Sequence, residues 1–380
     1  MGLTVHRLRE ELAPFRHWPL RFALAHLVWV LAAYGAGFYA ALAGLPWPLL
    51  VVISPLTGLF AGSAFMVGHD ASHGSYTKRP WLNQLLGRIA FLPSYHPYSL
   101  WTLIHNYGHH IRTNLKGKDH VWTPLSKAEF DALSPVRRML YRAYRTPLGL
   151  MLYYPIDVWA VRLAFPRPAT IERPRRIYVL DRLLILAFLV LQLGLVTLAT
   201  TTVAGWLTAA LFAVLVPWMT FNWMIGFVVY HNHTHPAVPW FDDPDEWSFH
   251  TSTLRGTVRV TFPPWTRFFV ANIMDHVAHH VDPRIPLARL RVAQDRLDEL
   301  CGDQILIQRW SLRALLNILE RCKLYDYGAH RWTDFDGRPT TACTFATTAR
   351  RTDPGSAGTG SRAPEPASSS CSLATPSSPP

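Results

Sequence analysis

The sequence predicts an all-α membrane protein with four transmembrane helices in two hairpins and a cytoplasmic helical cap. Three observations lead there. Residues 22–69 and residues 183–241 contain no Asp, Glu, Lys or Arg. Each run is roughly twice the ~20 apolar residues that a helix needs to cross a ~30 Å hydrocarbon core, so each should form two spans. Both runs are interrupted near the middle by turn residues, and both interruptions lack charge.

In the first run, Gly44-Leu45-Pro46-Trp47-Pro48 separates a span at 21–43 from one at 48–67. In the second, Thr200-Thr201-Thr202 and Gly205 separate spans at 180–200 and 205–229. The net charge of +12 lies in the N-terminal segment, the middle and the C-terminal third. The positive-inside rule then puts both termini on the cytoplasmic side of a multi-pass membrane protein. Met1 to Pro19 mixes Glu10 and Glu11 with Arg7, Arg9 and Arg16, which argues against a secretory signal peptide. The basic excess suits anionic lipid better than nucleic acid, because no nucleic-acid motif accompanies it. Cys301, Cys322, Cys343 and Cys371 form no CxxC pair, and reduced thiols are the default for a cytoplasmic region. One domain is expected over 1–345. Residues 351–380 turn to Thr, Pro, Gly, Ser and Ala, a composition that cannot bury enough surface to order itself, so a disordered tail is expected there.

Eleven of the eighteen histidines fall in four clusters: His69 and His73; His105, His109 and His110; His231, His233 and His235; His276, His279 and His280. All four lie on the same predicted side. His69 and His73 are four apart, directly after the second span, and on a helix they share a face. His276, His279 and His280, at i, i+3 and i+4, do the same. In the second cluster His105 and His109 share a face, while His110 is ~140° around an ideal helix from His105. That cluster suits two metals, or a local distortion at Gly108. The isolated His6, His17, His26, His96, His120, His250 and His330 are expected to be ordinary surface or core residues.

Imidazoles crowded at helical spacing beside a bilayer indicate a metal site. Eight or nine nitrogens exceed the three or four donors of one zinc and fit two irons best. The Glu-x-x-His pairs of soluble di-iron bundles are absent. A histidine-rich, oxygen-activating di-iron centre beside a lipid-facing cavity is what remains.

With these motifs in hand, the sequence resembles the integral-membrane fatty acid desaturases, and more narrowly the acyl-lipid delta-12 (omega-6) type of bacteria, cyanobacteria and plants. The resemblance rests on HDASH at His69, HNYGHH at His105 followed by Thr113-Asn114, and HVAHH at His276 followed by Pro283 and Ile285-Pro286. Leu254-Arg255-Gly256-Thr257-Val258 and Cys322-Lys323-Leu324-Tyr325-Asp326 add to it. The second box has three residues before its His pair where two are commoner, and the broader family tolerates both. The resemblance implies two irons held by His69, His73, His105, His109, His110, His276, His279 and His280, with a ninth ligand from the segment after the fourth span. His233, which precedes Thr234, matches the family position for that ligand.

It also implies the reaction, removal of two hydrogens from adjacent methylenes of an acyl chain with dioxygen as co-substrate. A hydrocarbon has no acidic proton, so a metal-centred oxidant has to do this, and the protein's task is positioning in a bent apolar tunnel. Trp101, Trp122, Trp218 and Trp223 are candidates to line that tunnel or to anchor and pack the helices. Asp70, Asn106, Asn114, Asp119 and Asp275 are candidate partners for the outward nitrogens of the ligating imidazoles. The sequence carries no cytochrome b5 module, flavin fingerprint or iron–sulfur cysteine pattern. A ferredoxin-like external electron donor is therefore expected, along with a bacterial plasma-membrane location. A sister di-iron hydroxylase or ketolase, and more distantly a non-enzymatic membrane metal-binding protein, are the alternatives.

Overall fold

A computed structural model describes residues 4–166 and 175–345; the expected tail at 351–380 lies outside the described residues. Four helices are long and apolar enough to cross a membrane: Leu20–Leu42, Trp47–Ser72, Arg176–Ala199 and Val203–His233. The uncharged runs set their starts, with Pro46 and Pro48 beside the entry to the second and Thr202 capping the fourth through a bond from Gly205 N at 3.1 Å. Two of them overrun the expected ends. The second continues from 67 to Ser72 and the fourth from 229 to His233, so both carry histidines inside the helix itself.

The first span packs on the second, and the second on the fourth. Gly58 makes the second contact possible: a Cβ there would lie 2.4 Å from the carbonyl oxygen of Pro217, so only a bare backbone allows the two helices to approach so closely. The fourth helix widens into a π-turn at Leu211–Leu215 immediately before Pro217. Proline donates no N–H and its ring crowds the preceding turn, which locally displaces the bonding ladder. The third span is peripheral. Only 11 % of its most apolar window is buried, against 61 % for the second, and Leu183, Leu186, Val190, Leu191 and Leu198 are exposed along it. Such a surface suits hydrocarbon rather than water.

The remaining segments form a cap over one end of the second and fourth spans. In the N-terminal helix Val5–Leu12, Leu8 and Leu12 are buried, Arg9 donates to the carbonyl of Val281 at 2.6 Å, and Arg16 just beyond pairs with buried Asp282 at 2.6 Å. The cap is not wholly helical, which corrects the all-α expectation. Val258–Thr261 pairs in parallel with Leu306–Arg309, and Leu324–Asp326 pairs antiparallel with Arg331–Thr333. Strands of three or four residues carry too few alternations to stand out in a sequence. Cys301 and Cys322 are buried free thiols.

Candidate metal centre

His69 sits in the last turn of the second span, and His73 is its C-cap. The second box lies on a helix that begins at Tyr98–Thr102 and continues as a π-helix over Leu103–His109, closed by a bond from His110 N to His105 O at 3.0 Å. In a π-helix the backbone pairs residues five apart. His105 and His110 therefore point the same way, and the expected pairing of His105 with His109 gives way to it. Gly108 is the site of that distortion. A Cβ on it would meet Cδ2 of His120 at 2.8 Å. His233 is the last residue of the fourth helix, and Thr234 turns to extended backbone at φ −132°, ψ 115°. His276, His279 and His280 occupy the buried helix His276–Val281.

These elements gather nine imidazoles into two groups. Nitrogens of His69, His73, His105, His110 and His279 lie within 4.8 Å of one another, as do those of His109, His233, His276 and His280. Two boxes are thus divided between groups: His109 parts from His105 and His110, and His279 parts from His276 and His280. The single face expected for the last box does not hold, because the groups sit close enough for one short helix to serve both. His231 and His235 belong to neither. His231 lies on the ring of Phe227 at 4.2 Å, and His235 meets Gln308 Oε1 at 3.2 Å.

The outward nitrogens of three rings are held. His109 Nδ1 faces both Asp119 carboxylate oxygens at 2.9 and 3.0 Å, His276 Nδ1 faces the carbonyl of Ile273 at 3.0 Å, and His280 Nδ1 faces Thr113 Oγ1 at 3.1 Å. A carboxylate and a carbonyl can only accept, and Thr113 spends its proton on the carbonyl of His109 at 2.7 Å. All three rings must then carry hydrogen on Nδ1 and a lone pair on Nε2. Two of those lone pairs meet, His280 Nε2 lying 3.1 Å from His276 Nε2, and Nε2 of His233 approaches His276 Nε2 at 3.0 Å and His109 Nε2 at 3.1 Å. Lone pairs so close with no proton between them repel, and a cation at their focus removes the conflict. The donor set fits metal, and with nine nitrogens in two groups it fits two ions.

Electrostatics agree. Burial first, and then the neighbouring imidazoles, push His73, His105, His110, His276, His279 and His280 well below the ordinary histidine range. Neutral imidazole is the metal-binding form. Burial alone would raise the Asp119 carboxyl. The facing His109 ring, His233 and the Val121 N–H nevertheless hold it below the usual carboxylate range.

Of the five polar candidates, Asp119 contacts an imidazole as described, and Asp70 only remotely, its Oδ1 lying 3.5 Å from His69 Nδ1. Asp70 Oδ2 instead accepts from Leu287 N at 2.9 Å. Asn106 donates to the carbonyl of Ser72 at 2.9 Å. Asn114, in left-handed backbone, donates to the carbonyls of Pro239 and Gly256. Asp275 pairs with Arg259 at 3.0 Å. These last three brace loops around the site through backbone or guanidinium partners rather than through a ring. Thr113 and the Ile273 carbonyl were missed. Thr113 follows His109 by four residues and belongs to the Thr113-Asn114 pair after the second box, which are the signals that marked it. Among the isolated histidines, His96 is a core residue between the Ser94 carbonyl and Tyr154 Oη, pushed down to about 3 by burial.

An apolar cavity reaches the imidazoles from the helical bundle. Phe65, Met66, Trp101, Ile104, Val158, Ile225 and Val228 line it, with His69, His105, His109, His233 and His276 at its metal end. Trp101 also stacks on His105, centroids 4.1 Å apart. Trp218 lines a separate apolar pocket beside the third span. Trp122 packs on Tyr153 and Tyr230, and Trp223 donates to the carbonyl of Pro147.

Comparison with known proteins gives this arrangement a family. The chain is 30 % identical over 335 residues to an sn-1 oleoyl-lipid 12-desaturase of Picosynechococcus, covering 87 % of this chain and 90 % of the relative. It is 31 % identical to the enzyme of the same name from Synechocystis, covering 80 % and 84 %. It is 30 % identical to the chloroplastic omega-6 fatty acid desaturase of Brassica napus, where it covers 78 % of this chain but 64 % of the longer relative. The fatty acid desaturase profile matches residues 45–311, a stretch that holds all nine clustered imidazoles and the cavity beside them, and the chain accordingly belongs to the fatty acid desaturase family, an oxidoreductase of acyl lipids.

Proposed function

We propose that the enzyme uses two histidine-held irons and dioxygen to place a double bond in an oleoyl chain of a membrane lipid, at the delta-12 (omega-6) position. The observation that carries this reading is the two-part group of nine imidazoles at the end of an apolar cavity. The regiochemistry is supported by the printed names of the relatives in cyanobacteria and plants. In the overall change two C–H bonds break and a C=C bond forms. Dioxygen is reduced to two waters, with two electrons and two protons from outside.

One ion would be held by His69, His73, His105, His110 and His279, the other by His109, His233, His276 and His280. The irons supply the oxidising power that an unactivated methylene requires. The chain's own residues do the rest. Asp119, Thr113 and the Ile273 carbonyl keep three rings in the tautomer that aims Nε2 inward. Phe65, Ile104, Val158 and Val228 exclude water and hold the acyl chain by contact alone, so that position along the cavity selects the carbon pair. Asp70 and the neighbouring Asn106, Asn114 and Asp275 stiffen the loops that carry the ligands. A single domain over 1–345 contains all of this. Both termini and every histidine cluster face the cytoplasm, in a bacterial plasma membrane, where a ferredoxin-like carrier supplies electrons.

Expression in a host with oleoyl lipids and a compatible ferredoxin tests the chemistry by fatty acid profile. Linoleoyl chains are expected. A first double bond in palmitoyl or stearoyl chains overturns the delta-12 assignment, and an oxygenated product without an alkene overturns desaturation. Reporter fusions test sidedness: Pro46 and Thr202 outside, Lys116 and Ala342 inside. A cytoplasmic signal at Thr202 defeats the two-hairpin arrangement.

A further inference from the structure

The π-helix of the second box has an outer side that the chemistry above does not use. Tyr107 is 61 % and Ile111 47 % exposed, and Arg112 and Lys118 are exposed beside them. The half-buried ring of His120 lies over Gly108, between His105 and His109. Arg162 reaches the same place by donating to the carbonyl of His120. His120 titrates below its ordinary value, first through burial and then through Arg162, Arg112 and Lys118 together, with Asp119 opposing. Arg162 thus lies at this ring, and Arg112 and Lys118 are close enough to act on it.

Elsewhere on the surface, basic side chains are commonly neutralised: Arg137 by Asp157, Lys116 by Glu129, Arg296 by Glu11 and Glu299. Arg112, Lys118 and Arg162 enter no ion pair among the described residues. Uncompensated positive charge around an exposed aromatic and an exposed aliphatic side chain is the make-up of a docking surface for an acidic protein, with a charged rim that steers and an apolar centre that holds. Its position matters as much as its charge. Lys118 is followed by Asp119, whose carboxylate lies 2.9 Å from His109 Nδ1. The surface is one residue from a proposed metal ligand, and electron tunnelling falls steeply with distance.

We propose that the patch of Tyr107, Ile111, Arg112, Lys118 and Arg162 docks a small acidic iron–sulfur carrier, which passes electrons inward past the patch through Asp119 and His109. This rests on the reading of the protein as an oxygen-dependent desaturase with an external donor. Each double bond takes two electrons, so two reduced carriers each lose one. Anionic lipid would also attract these cations, but a bilayer surface has no use for proximity to the imidazoles.

The test uses full-length enzyme in nanodiscs of zwitterionic phosphatidylcholine, titrated with a plant-type two-iron ferredoxin of net negative charge. Binding should weaken as salt rises. The double variant Arg112→Glu/Lys118→Glu should bind roughly tenfold or more weakly, while Arg112→Lys/Lys118→Arg should bind as the parent does. Equal affinity in the charge-reversed variant overturns the proposal. So does unchanged ferredoxin affinity accompanied by loss of binding to phosphatidylglycerol vesicles, which would assign the patch to lipid. Linoleoyl formation driven by a chemical reductant instead of ferredoxin is measured in parallel and should be equal in both variants and parent. Its absence from all three would bring down the desaturase reading, while the binding series still decides whether the patch docks the carrier.

Discussion

The two imidazole groups differ in what holds them. In the group of His109, His233, His276 and His280, three rings have an outward partner in Asp119, Ile273 or Thr113. In the group of His69, His73, His105, His110 and His279, the contact of this kind among the described residues is a long one, His69 Nδ1 to Asp70 Oδ1 at 3.5 Å, and Nδ1 of His110 and His279 is buried without a partner. Those rings are placed by the end of the second span, the π-helix and the stack of Trp101 on His105. One group is oriented by hydrogen bonds and the other by packing, so they should fail in different ways.

The largest effect is expected where a proposed ligand is removed. Purified His233→Ala should lose metal and most activity, by more than the ~10–100-fold typical of outer partners, while staying in the membrane. His231→Ala and His235→Ala should be mild. Full metal content by elemental analysis in His233→Ala would refute its assignment. Next comes Asp119→Asn, which keeps the shape but removes the charge facing His109. A loss of roughly 10–100-fold in metal affinity or activity is expected, confined to the four-histidine group. If both groups empty together in a metal titration, the comparison collapses into one cooperative site.

Acid should act on both groups. Six clustered imidazoles have folded-state pKa values well below the ordinary one, so below the unfolded value of ~6.5 the unfolded chain binds more protons than the folded chain. Their contribution to stability is present above that pH and is lost as pH falls through and below it. Metal-free protein should melt several degrees lower at pH 5.5 than at pH 7.5, and an unchanged melting temperature would contradict the burial of these rings. Gly108→Ala should cost about 1–3 kcal/mol, since the new methyl must displace His120. It should also disturb the five-histidine group through His105 and His110. Loss of metal from the other group alone would show that the π-helix does not set the division. The smallest effect is expected from deleting residues 352–380, which should leave insertion, metal content and turnover nearly unchanged; loss of metal would show that the tail is structural.

Much of the fold was legible because a hydrocarbon environment leaves a coarse signature. Charge vanishes over two long runs, and the four spans follow within a few residues at most ends. The ends themselves were less legible: Asp70 closes the uncharged run, but the helix runs on to Ser72, since a helix leaving a membrane can continue in protein. The short strands of the cap were invisible for lack of length. The nine histidines that the fold groups stood out by spacing and family resemblance. Their division into two groups did not, because ideal α-helical geometry was assumed where the chain is a π-helix.

The sequence by itself determined that the chain is helical and apolar over four stretches, and that eleven of its imidazoles fall in four clusters of short interval, two of them at the ends of those stretches, since both are properties of residue type and interval. Tertiary structure alone decided which nitrogens meet. Direction depends on the local winding at Gly108, on the close approach of spans at Gly58, and on acceptors such as Asp119 and the Ile273 carbonyl, brought in from elsewhere in the chain. A ring nitrogen takes its proton from the partner it finds in space, and that partner is not a function of sequence interval.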